Sequence, residues 1–288
     1  MRFQFIHNHR ETFDVGRMCG TLKVSRGGFY EWMKRPPSAR EQENAELVCK
    51  MKLIHKKCHE TYGSPRMHAS LKNANGKPYS KNRIARLMRK NGIRAKTKRK
   101  FKATTLSKHN RPVAPNLLDQ NFSIDRPNAV WVSDITYVPT GEGWLYLATT
   151  LDLFSRKVVG WAMDSHMKTD LVMAALRMAI QRRAIEPGLI HHSDRGVQYA
   201  SQDFQDLLSS VGMVCSMSRK GNCYDNAVQE SWYHTMKTEL VYHEHFATRD
   251  EALAKIFQYI EVFYNRERLH SSLGYLAPAQ FESKHLAA

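Results

Sequence analysis

The chain has 288 residues, of which 42% are apolar and 10% aromatic, so it can build a hydrophobic core and is neither disordered nor low-complexity. It contains no apolar run of about 18 residues, and charges and histidines interrupt its first twenty residues, so we expect a cytoplasmic protein with no membrane association. The five cysteines are scattered and never spaced as CxxC, which indicates reduced thiols rather than disulfides or a zinc module.

The charge is concentrated in the first part of the chain. The net charge is +17, with 28 basic and 8 acidic residues in residues 1–120 and 16 basic and 19 acidic residues in the remainder. Residues 81–102 contain eleven Lys or Arg and no acid. This distribution predicts an N-terminal segment that binds nucleic acid, followed by a domain with a different function. A basic surface that only maintains solubility is the alternative.

Helical patterns occupy the N-terminal part. Residues 12–35 predict a helix-turn-helix, with Ser25 capping a second helix that places Phe29 and Trp32 inward and ends before Pro36 and Pro37. We expect this unit to span residues 1–45 and a second, basic helical segment to span 46–100. Its last helix is capped by Ser80 and stopped by Gly92.

Cations cover the outer face of that last helix, because Ile84, Leu87 and Met88 form its inner stripe. Such a helix can lie in a major groove or along a phosphate backbone, although a solvated charged face would give the same pattern. Residues 101–123 predict an extended linker. The predicted DNA contacts are Lys81, Arg83, Arg86, Arg89, Lys90, Lys98, Arg99 and Lys100.

From residue 124 the pattern changes to short apolar runs. These predict three strands, with the turn PTGEG between the first two, then a helix capped by Thr169, a strand, a helix capped by Ser201, another strand, and a long helix from near Tyr224 to about Val241. This order predicts an α/β domain with a mixed sheet over residues 124–245, the layout of a ribonuclease-H-like core. A C-terminal helix and tail follow over 246–288.

Three carboxylates fall where such a sheet would bring them together. Asp134 lies inside the first strand, where a charge is costly to bury without a partner or a metal. Asp194 follows the strand GLIHHS, at the end where α/β proteins bind ligands. On the long helix, Glu230 and Lys237 are seven residues apart and therefore project to one side.

Phosphoryl transfer between DNA strands is a reaction that uses carboxylates as metal ligands. Two hard cations about 3.5–4 Å apart can activate the nucleophile, stabilise the leaving oxygen and neutralise the phosphorus. Magnesium or manganese prefers oxygen ligands, so the three carboxylates suffice and Lys237 would contact a phosphate. The acidic pattern alone is weakly specific, because residues 121–288 contain 19 acids.

The sequence motifs around these residues are far more specific than the acidic pattern alone. The chain resembles the second-frame (OrfB) transposases of IS-three-type bacterial insertion sequences, in the retroviral-integrase-like DDE superfamily, over nearly its whole length. The phrases that carry the resemblance are YGSPRMHASL, RIARLMRKNGI, WVSDITYV, LDLFSRKVVGW, HHSDRGVQYAS, GNCYDNAVQESWYHTMKTEL and YNRERLHSSLGYLAPAQFE.

The resemblance implies a ribonuclease-H-like integrase catalytic core preceded by all-helical helix-turn-helix segments. It maps the catalytic, metal-binding triad onto Asp134, Asp194 and Glu230, with Lys237 as the basic residue that follows. It further implies DNA cleavage and strand transfer with two Mg²⁺ or Mn²⁺ ions, acting on element ends and target DNA at the bacterial nucleoid. A homo-oligomer on DNA and an upstream-frame transposase protein are the implied partners.

Other residues allow competing interpretations. His191 and His192 with Cys215 and Cys223 form no ordinary zinc spacing, and adjacent strand residues point to opposite faces. Asp152 is a rival carboxylate for which Ser155 and Arg156 offer a local structural role.

Several roles stay open at this point. Gln198 and Tyr199 are candidates for positioning the transferred end, and a polar group after the last helix could pack the tail or contact DNA. Its members are Tyr264, Asn265, Arg268 and His270. Two other functions also remain: a non-catalytic DNA-binding regulator, and a ribonuclease-H-like nuclease that cuts without joining.

Overall fold

The computed structural model describes residues 1–75, 79–97, 114–219 and 226–286, and the chain divides into two compact units, Met1–Lys52 and Leu53–Ala288. None of the helices in these ranges is long and apolar enough to cross a membrane. Lys98, Arg99 and Lys100, together with most of the expected linker, lie outside the described residues.

Eleven α-helices and five strands are described within these ranges. The helices are α1 (Arg2–His9), α2 (Val15–Thr21), α3 (Arg26–Lys34), α4 (Ala39–Lys57), α5 (Ser64–Asn75), α6 (Lys81–Lys90), α7 (Thr169–Arg182), α8 (Gln202–Ser210), α9 (Ala227–Glu239), α10 (Arg249–Phe257) and α11 (Pro278–Leu286). The strands are β1 (Val130–Thr140), β2 (Gly143–Asp152), β3 (Val158–Asp164), β4 (Ile190–Ser193) and β5 (Val214–Met217).

Unit Met1–Lys52 is built on a small core of its own. Ile6 from α1, Met18 from α2 and Phe29 from α3 are buried together. The predicted pair of helices is present as α2 and α3. The Ser25 hydroxyl caps α3 by accepting a hydrogen bond from the Gly28 amide at 3.0 Å, which confirms the predicted cap.

The basic helix α6 has the predicted two faces. Ile84, Leu87 and Met88 are buried. Of the five cations on α6, four are exposed and Arg83 is partly buried, with its guanidinium 5.9 Å from the Tyr79 ring centroid. Ser80 stands at the predicted N-cap position, although its side chain makes no capping hydrogen bond.

The strands form one mixed sheet in the order β3-β2-β1-β4-β5. β1, β2 and β3 are antiparallel neighbours, whereas β4 is parallel to β1 and β5 is parallel to β4. β1 extends to Thr140 and β2 begins at Gly143, so the hairpin turn is shorter than the predicted PTGEG. Thr169 is the first residue of α7 and not its cap, which is Lys168. Ser201 does cap α8, through the Phe204 amide.

Each face of the sheet is covered by helices, because both faces of β1 and β2 are apolar. On one face, Val132 and Leu147 pack with Trp232 and Met236 of α9 and with Ile260. On the other face lie α7 and α8; Gly160 of β3 is essential there, since a Cβ at this position would come within 2.2 Å of the Ala175 carbonyl oxygen. The architecture is the ribonuclease-H-like α/β core that the sequence predicted.

Candidate active site

Asp134 and Asp194 are brought together by the parallel pairing of β1 and β4. Ser133 of β1 pairs with Ser193 of β4, and each aspartate is the next residue along its chain. Asp134 is partly buried and its Oδ1 accepts a hydrogen bond from the Ile135 amide at 2.8 Å. The sheet thus places two carboxylates side by side where β4 ends, as the sequence predicted.

The backbone after Asp194 turns tightly around its carboxylate. The Gly196 amide donates a hydrogen bond to Asp194 Oδ1 at 2.9 Å. A Cβ on residue 196 would lie 2.9 Å from that oxygen and 3.1 Å from Gln198 Oε1. Glycine therefore permits the close approach that orients Asp194.

Glu230 and Lys237 on α9 both act on Asp134. Burial, together with the negative charge of Asp194, raises the pKa of Asp134 well above its ordinary value; Glu230 adds to this and Lys237 opposes it. Partial desolvation raises the pKa of Glu230, and burial lowers that of Lys237. The charges of Asp194, Glu230 and Lys237 therefore all act on Asp134, which agrees with the prediction that Glu230 and Lys237 project to one side of the helix.

A buried hydrogen-bond network fixes α9 across the sheet. Thr149 pairs directly with Asp134 in the β1–β2 register. The Thr149 hydroxyl accepts a hydrogen bond from the side-chain amide of Gln229 and donates one to the Tyr233 hydroxyl at 2.9 Å. The Tyr233 hydroxyl in turn donates to the Asp134 carbonyl oxygen. Gln229 precedes Glu230 directly, so this network sets the position of the third carboxylate.

Sequence reasoning missed this network. Its only signal was that Gln229 and Tyr233 are four residues apart on the helix, beside the apolar stripe. Both side chains are buried, at 0% and 6% exposure. Polar groups at such positions need partners, and Thr149 supplies one to the Gln229 side-chain NH2 group and one to the Tyr233 hydroxyl, whereas Gln229 Oε1 has none among the described residues.

The C-terminal end of α9 is held by a buried ion pair. The Arg268 guanidinium donates to both oxygens of Glu239, at 2.7 and 2.8 Å, and the Tyr259 hydroxyl donates to Oε2 at 2.8 Å. Arg268 and Glu239 are only 3% and 8% exposed. Arg268 is therefore a structural residue, which resolves one alternative that the sequence left open.

The remaining members of that polar group also pack the C-terminal segment on the core. Asn265 exchanges two hydrogen bonds with the backbone of Val158, both 3.0 Å long. The Tyr264 hydroxyl donates to the Arg156 carbonyl oxygen. His270 is partly buried, and its Nδ1 lies 2.9 Å from the Ser272 hydroxyl.

Asp152 has the structural role that the sequence favoured. It is 0% exposed and accepts hydrogen bonds from the Ser155 amide and hydroxyl, each 2.9 Å, and from the Asn128 amide at 2.7 Å. These donors stabilise a turn at the end of β2. Asp152 is therefore engaged away from the triad.

The two histidines of β4 are both buried, and they form hydrogen bonds with different neighbours. His191 Nε2 lies 2.9 Å from the Ser133 hydroxyl, and His192 bridges Ser216 and Ser218. Burial lowers the pKa of His191 to about 3, so its imidazole is neutral. Cys215 is a free thiol, as are the other described cysteines, and Cys223 lies outside the described residues.

Gln198 and Tyr199, in the loop after Asp194, are buried. Tyr199 is 2% exposed and its hydroxyl has no hydrogen-bond partner, and the Gln198 amide donates to the Met167 carbonyl oxygen at 2.9 Å. Gln198 is 8% exposed. Both residues are therefore buried and do not form part of an open surface.

The donor set fits a hard divalent cation by its chemistry. Carboxylate oxygens are the ligands that Mg²⁺ and Mn²⁺ prefer, and a cation would relieve the mutual repulsion that raises the pKa of Asp134. Within the described ranges, however, no group of three or more His, Cys, Asp or Glu side chains is already arranged to hold an ion.

The chain matches three known domain families. Residues 124–223 and 230–286 each match a family described as Integrase core domain, and residues 41–101 match the HTH-like domain. The first range includes Asp134 and Asp194, and the second begins at Glu230.

Full-length relatives are also similar. The chain is 48% identical to the insertion element IS600 uncharacterized 31 kDa protein of Shigella sonnei, over 93% of this chain and 98% of that protein. It is 43% identical to transposase InsF for insertion sequence IS3A of Escherichia coli (strain K12), over 100% of both chains.

Among solved structures, the chain aligns with the simian T-cell lymphotropic virus intasome in complex with PP2A regulatory subunit B56 gamma. The TM-score is 0.46 at 16% identity, covering 81% of this chain and 74% of that one. It also aligns with the dimeric HTLV-2 integrase catalytic core domain in complex with magnesium, with a TM-score of 0.42 at 18% identity, covering 54% of this chain and 97% of that one.

The sheet, the paired aspartates and the domain matches define a polynucleotidyl transferase with an integrase catalytic core. At 43% identity over the full length of its relatives, the chain belongs to the transposases of the IS3-type insertion sequences. It is a DDE transposase that carries an HTH-like DNA-binding domain.

Proposed function

We propose that Asp134, Asp194 and Glu230 are the catalytic carboxylates and hold two Mg²⁺ or Mn²⁺ ions during DNA cleavage and strand transfer. The observation that supports this most directly is the pairing of Ser133 with Ser193, which sets the two aspartates side by side. Glu230 joins them through the network that fixes α9 to Thr149.

The metal ions, when bound, supply Lewis-acid activation of the attacking oxygen and stabilisation of the leaving oxygen. The three carboxylates bind and orient these ions. The Gly196 amide holds Asp194 in its rotamer, and the Tyr233 hydroxyl fixes the β1 backbone at Asp134. The Lys237 ammonium group neutralises a DNA phosphate beside Asp134, where its charge already acts.

We propose that residues 1–45 and 46–100 recognise the element ends, through a helix-turn-helix and a basic helical segment, and that a linker over 101–123 connects them to a catalytic core over 124–245 and a tail over 246–288. The exposed cations of α6 support this division. The contacts proposed here are Lys81, Arg83, Arg86, Arg89, Lys90, Lys98, Arg99 and Lys100.

Assembly follows from the reaction. Joining two element ends requires two active sites, so we propose that the chain acts as a homo-oligomer on DNA, with an upstream-frame transposase protein as a further partner. The place of action is the DNA of the bacterial nucleoid.

The test uses the full chain, a DNA duplex with the element end, and a target duplex. Asp194→Asn and Glu230→Gln should each lower cleavage and joining by orders of magnitude while leaving DNA affinity nearly unchanged, because both variants keep the shape of the side chain. Asp152→Asn is the matched control, since that carboxylate is buried in a turn. Its specific activity per folded molecule should match the wild type.

Products are resolved on sequencing gels with Mg²⁺, Mn²⁺, Ca²⁺ or chelator. Mg²⁺ and Mn²⁺ should support both steps, and Ca²⁺ at most binding, because it is larger and more loosely coordinated. Strand transfer that persists in either variant, or full activity in chelator, would refute the assignment. Cleavage without joined products under every condition would indicate a nuclease.

A further inference from the structure

Two large aromatic side chains beside the active site remain half exposed. Tyr137 of β1 and Trp144 of β2 are each 49% exposed. Their rings meet edge to face, with centroids 4.9 Å apart and an interplanar angle of 76°. Since aromatic side chains gain free energy by leaving water, a preformed exposed pair on a sheet indicates a surface that binds something.

The pair is linked to the active site through Lys237. The Lys237 ammonium nitrogen lies 4.9 Å from the Tyr137 ring centroid, within cation–π range. The charge of the same lysine acts on Asp134. Tyr137 is three residues from Asp134 on β1, so their Cα atoms are roughly 10 Å apart and their side chains start from opposite faces of the sheet. Lys237 contacts the Tyr137 ring and its charge acts on Asp134, so this lysine connects the aromatic pair to the carboxylates.

The hairpin that presents Trp144 is rigidly attached to the core. The Arg249 guanidinium donates to the carbonyl oxygens of Trp144 at 3.1 Å and Glu142 at 2.6 Å. The Gly141 amide donates to the Phe246 carbonyl oxygen at 2.9 Å. The rings thus stand on a fixed support, which lowers the entropic cost of binding a partner.

We propose that Tyr137 and Trp144 form a stacking platform for an unpaired nucleotide of the DNA strand next to the reacting phosphate. A base presents a flat π-face that suits an exposed aromatic ring, and stacking tolerates any base. The Lys237 ammonium group against the Tyr137 ring favours a polyanionic partner over an apolar peptide. The inference rests on the proposed role of Asp134, Asp194 and Glu230.

The test measures DNA binding in chelator, so that no reaction takes place. Two duplexes share one element-end sequence, but in one of them the three terminal base pairs are replaced by mismatches and carry a 2-aminopurine. Wild-type protein should bind the mismatched end more tightly and quench its fluorescence. Trp144→Ala and Tyr137→Ala should lose affinity for the mismatched end by about tenfold, and Trp144→Phe should retain most of it.

The matched control is Phe257→Ala on α10, which also removes an exposed aromatic ring, 43% exposed in the wild type. It should keep the preference for the mismatched end. Equal losses on both duplexes in Trp144→Ala would overturn the proposal, because they would show a general contact without stacking. A change in the molar mass of the free protein in Trp144→Ala, measured by light scattering, would overturn it in favour of a contact between copies.

The outcome is separable from that of the catalytic assignment. Asp194→Asn should keep the preference for mismatched ends in chelator, because the platform does not need the carboxylate. If Asp194→Asn retained strand transfer, the catalytic assignment would fail while this binding measurement stood. If the preference were absent in the wild type, the platform would fail while the carboxylates stood.

Discussion

Arg268→Ala should destabilise the catalytic unit strongly without affecting DNA contacts. The guanidinium is 3% exposed and makes two charge-assisted hydrogen bonds to Glu239, whose side chain is itself buried. Removing one partner of a buried pair costs about 3–5 kcal/mol; Arg66, 3.5 Å from Glu239 Oε1, remains as a longer ion pair and places the expected cost near the lower end of that range. Within Leu53–Ala288 this corresponds to a fall in Tm of roughly 6–20 °C.

The assay is urea and thermal unfolding of the full chain, followed by tryptophan fluorescence and circular dichroism. Arg182→Ala is the control, since Arg182 pairs with Glu261 while its side chain is 43% exposed, and its removal should cost only about 0–1 kcal/mol. The double variant Glu239→Leu, Arg268→Met should be less destabilised than Arg268→Ala, because it removes both nearly buried charges and leaves Arg66, a second partner of Glu239, with a side chain that is 25% exposed.

DNA affinity gives the refuting result. Below the unfolding transition, Arg268→Ala should bind element ends as the wild type does, because the guanidinium is not accessible. A variant that unfolds within 1 kcal/mol of the wild type but binds DNA more weakly would show that Arg268 contacts DNA, and the structural role assigned to it would be wrong.

Three further outcomes are expected. Replacing three cations of α6 together should lower the slope of log affinity against log salt by about two to three units; they are Arg83, Arg86 and Arg89. Gly196→Ala should lower cleavage at least tenfold with little change in Tm, because the new Cβ meets the Asp194 carboxylate at 2.9 Å. His191 has a pKa of about 3 in the folded protein and about 6.5 in the unfolded chain, so the unfolded chain binds the proton first as the pH falls. The free energy of unfolding should therefore decrease as the pH drops from 6.5 towards 3. His191→Gln should reduce this pH dependence by up to about 1.4 kcal/mol per pH unit.

Each of these has a result that contradicts it. An unchanged salt slope would remove α6 from the DNA interface. Wild-type cleavage by Gly196→Ala would mean that the carboxylate position is not critical, with Gly160→Ala serving as the control that lowers stability through the α7 contact instead. An identical pH dependence of stability in His191→Gln would show that another group carries the proton uptake.

The order of most strands and helices, and the candidate residues of the site, could be predicted from the sequence. Alternating and helical apolar patterns are local, so the order of strands and helices, the cap at Ser25 and the two faces of α6 could be predicted from residue spacing. Asp134 could be singled out because an ionised carboxylate inside a strand is costly to bury without a partner or a metal. Asp194 could be singled out because it follows a strand, at the end where α/β proteins bind ligands. The seven-residue separation of Glu230 and Lys237 sufficed to predict that they project to one side of the helix.

The contacts between residues distant in the sequence could be seen in the folded structure alone. The pairing of Gln229 with Thr149, and of Glu239 with Arg268, joins positions 80 and 29 residues apart, and no local pattern specifies such partners. The same holds for Arg268, whose role depended on whether a buried carboxylate faced it. The exposure of Tyr137 and Trp144 was also hidden, because aromatic residues in a strand normally predict burial, and only the folded sheet shows which of them stay at the surface.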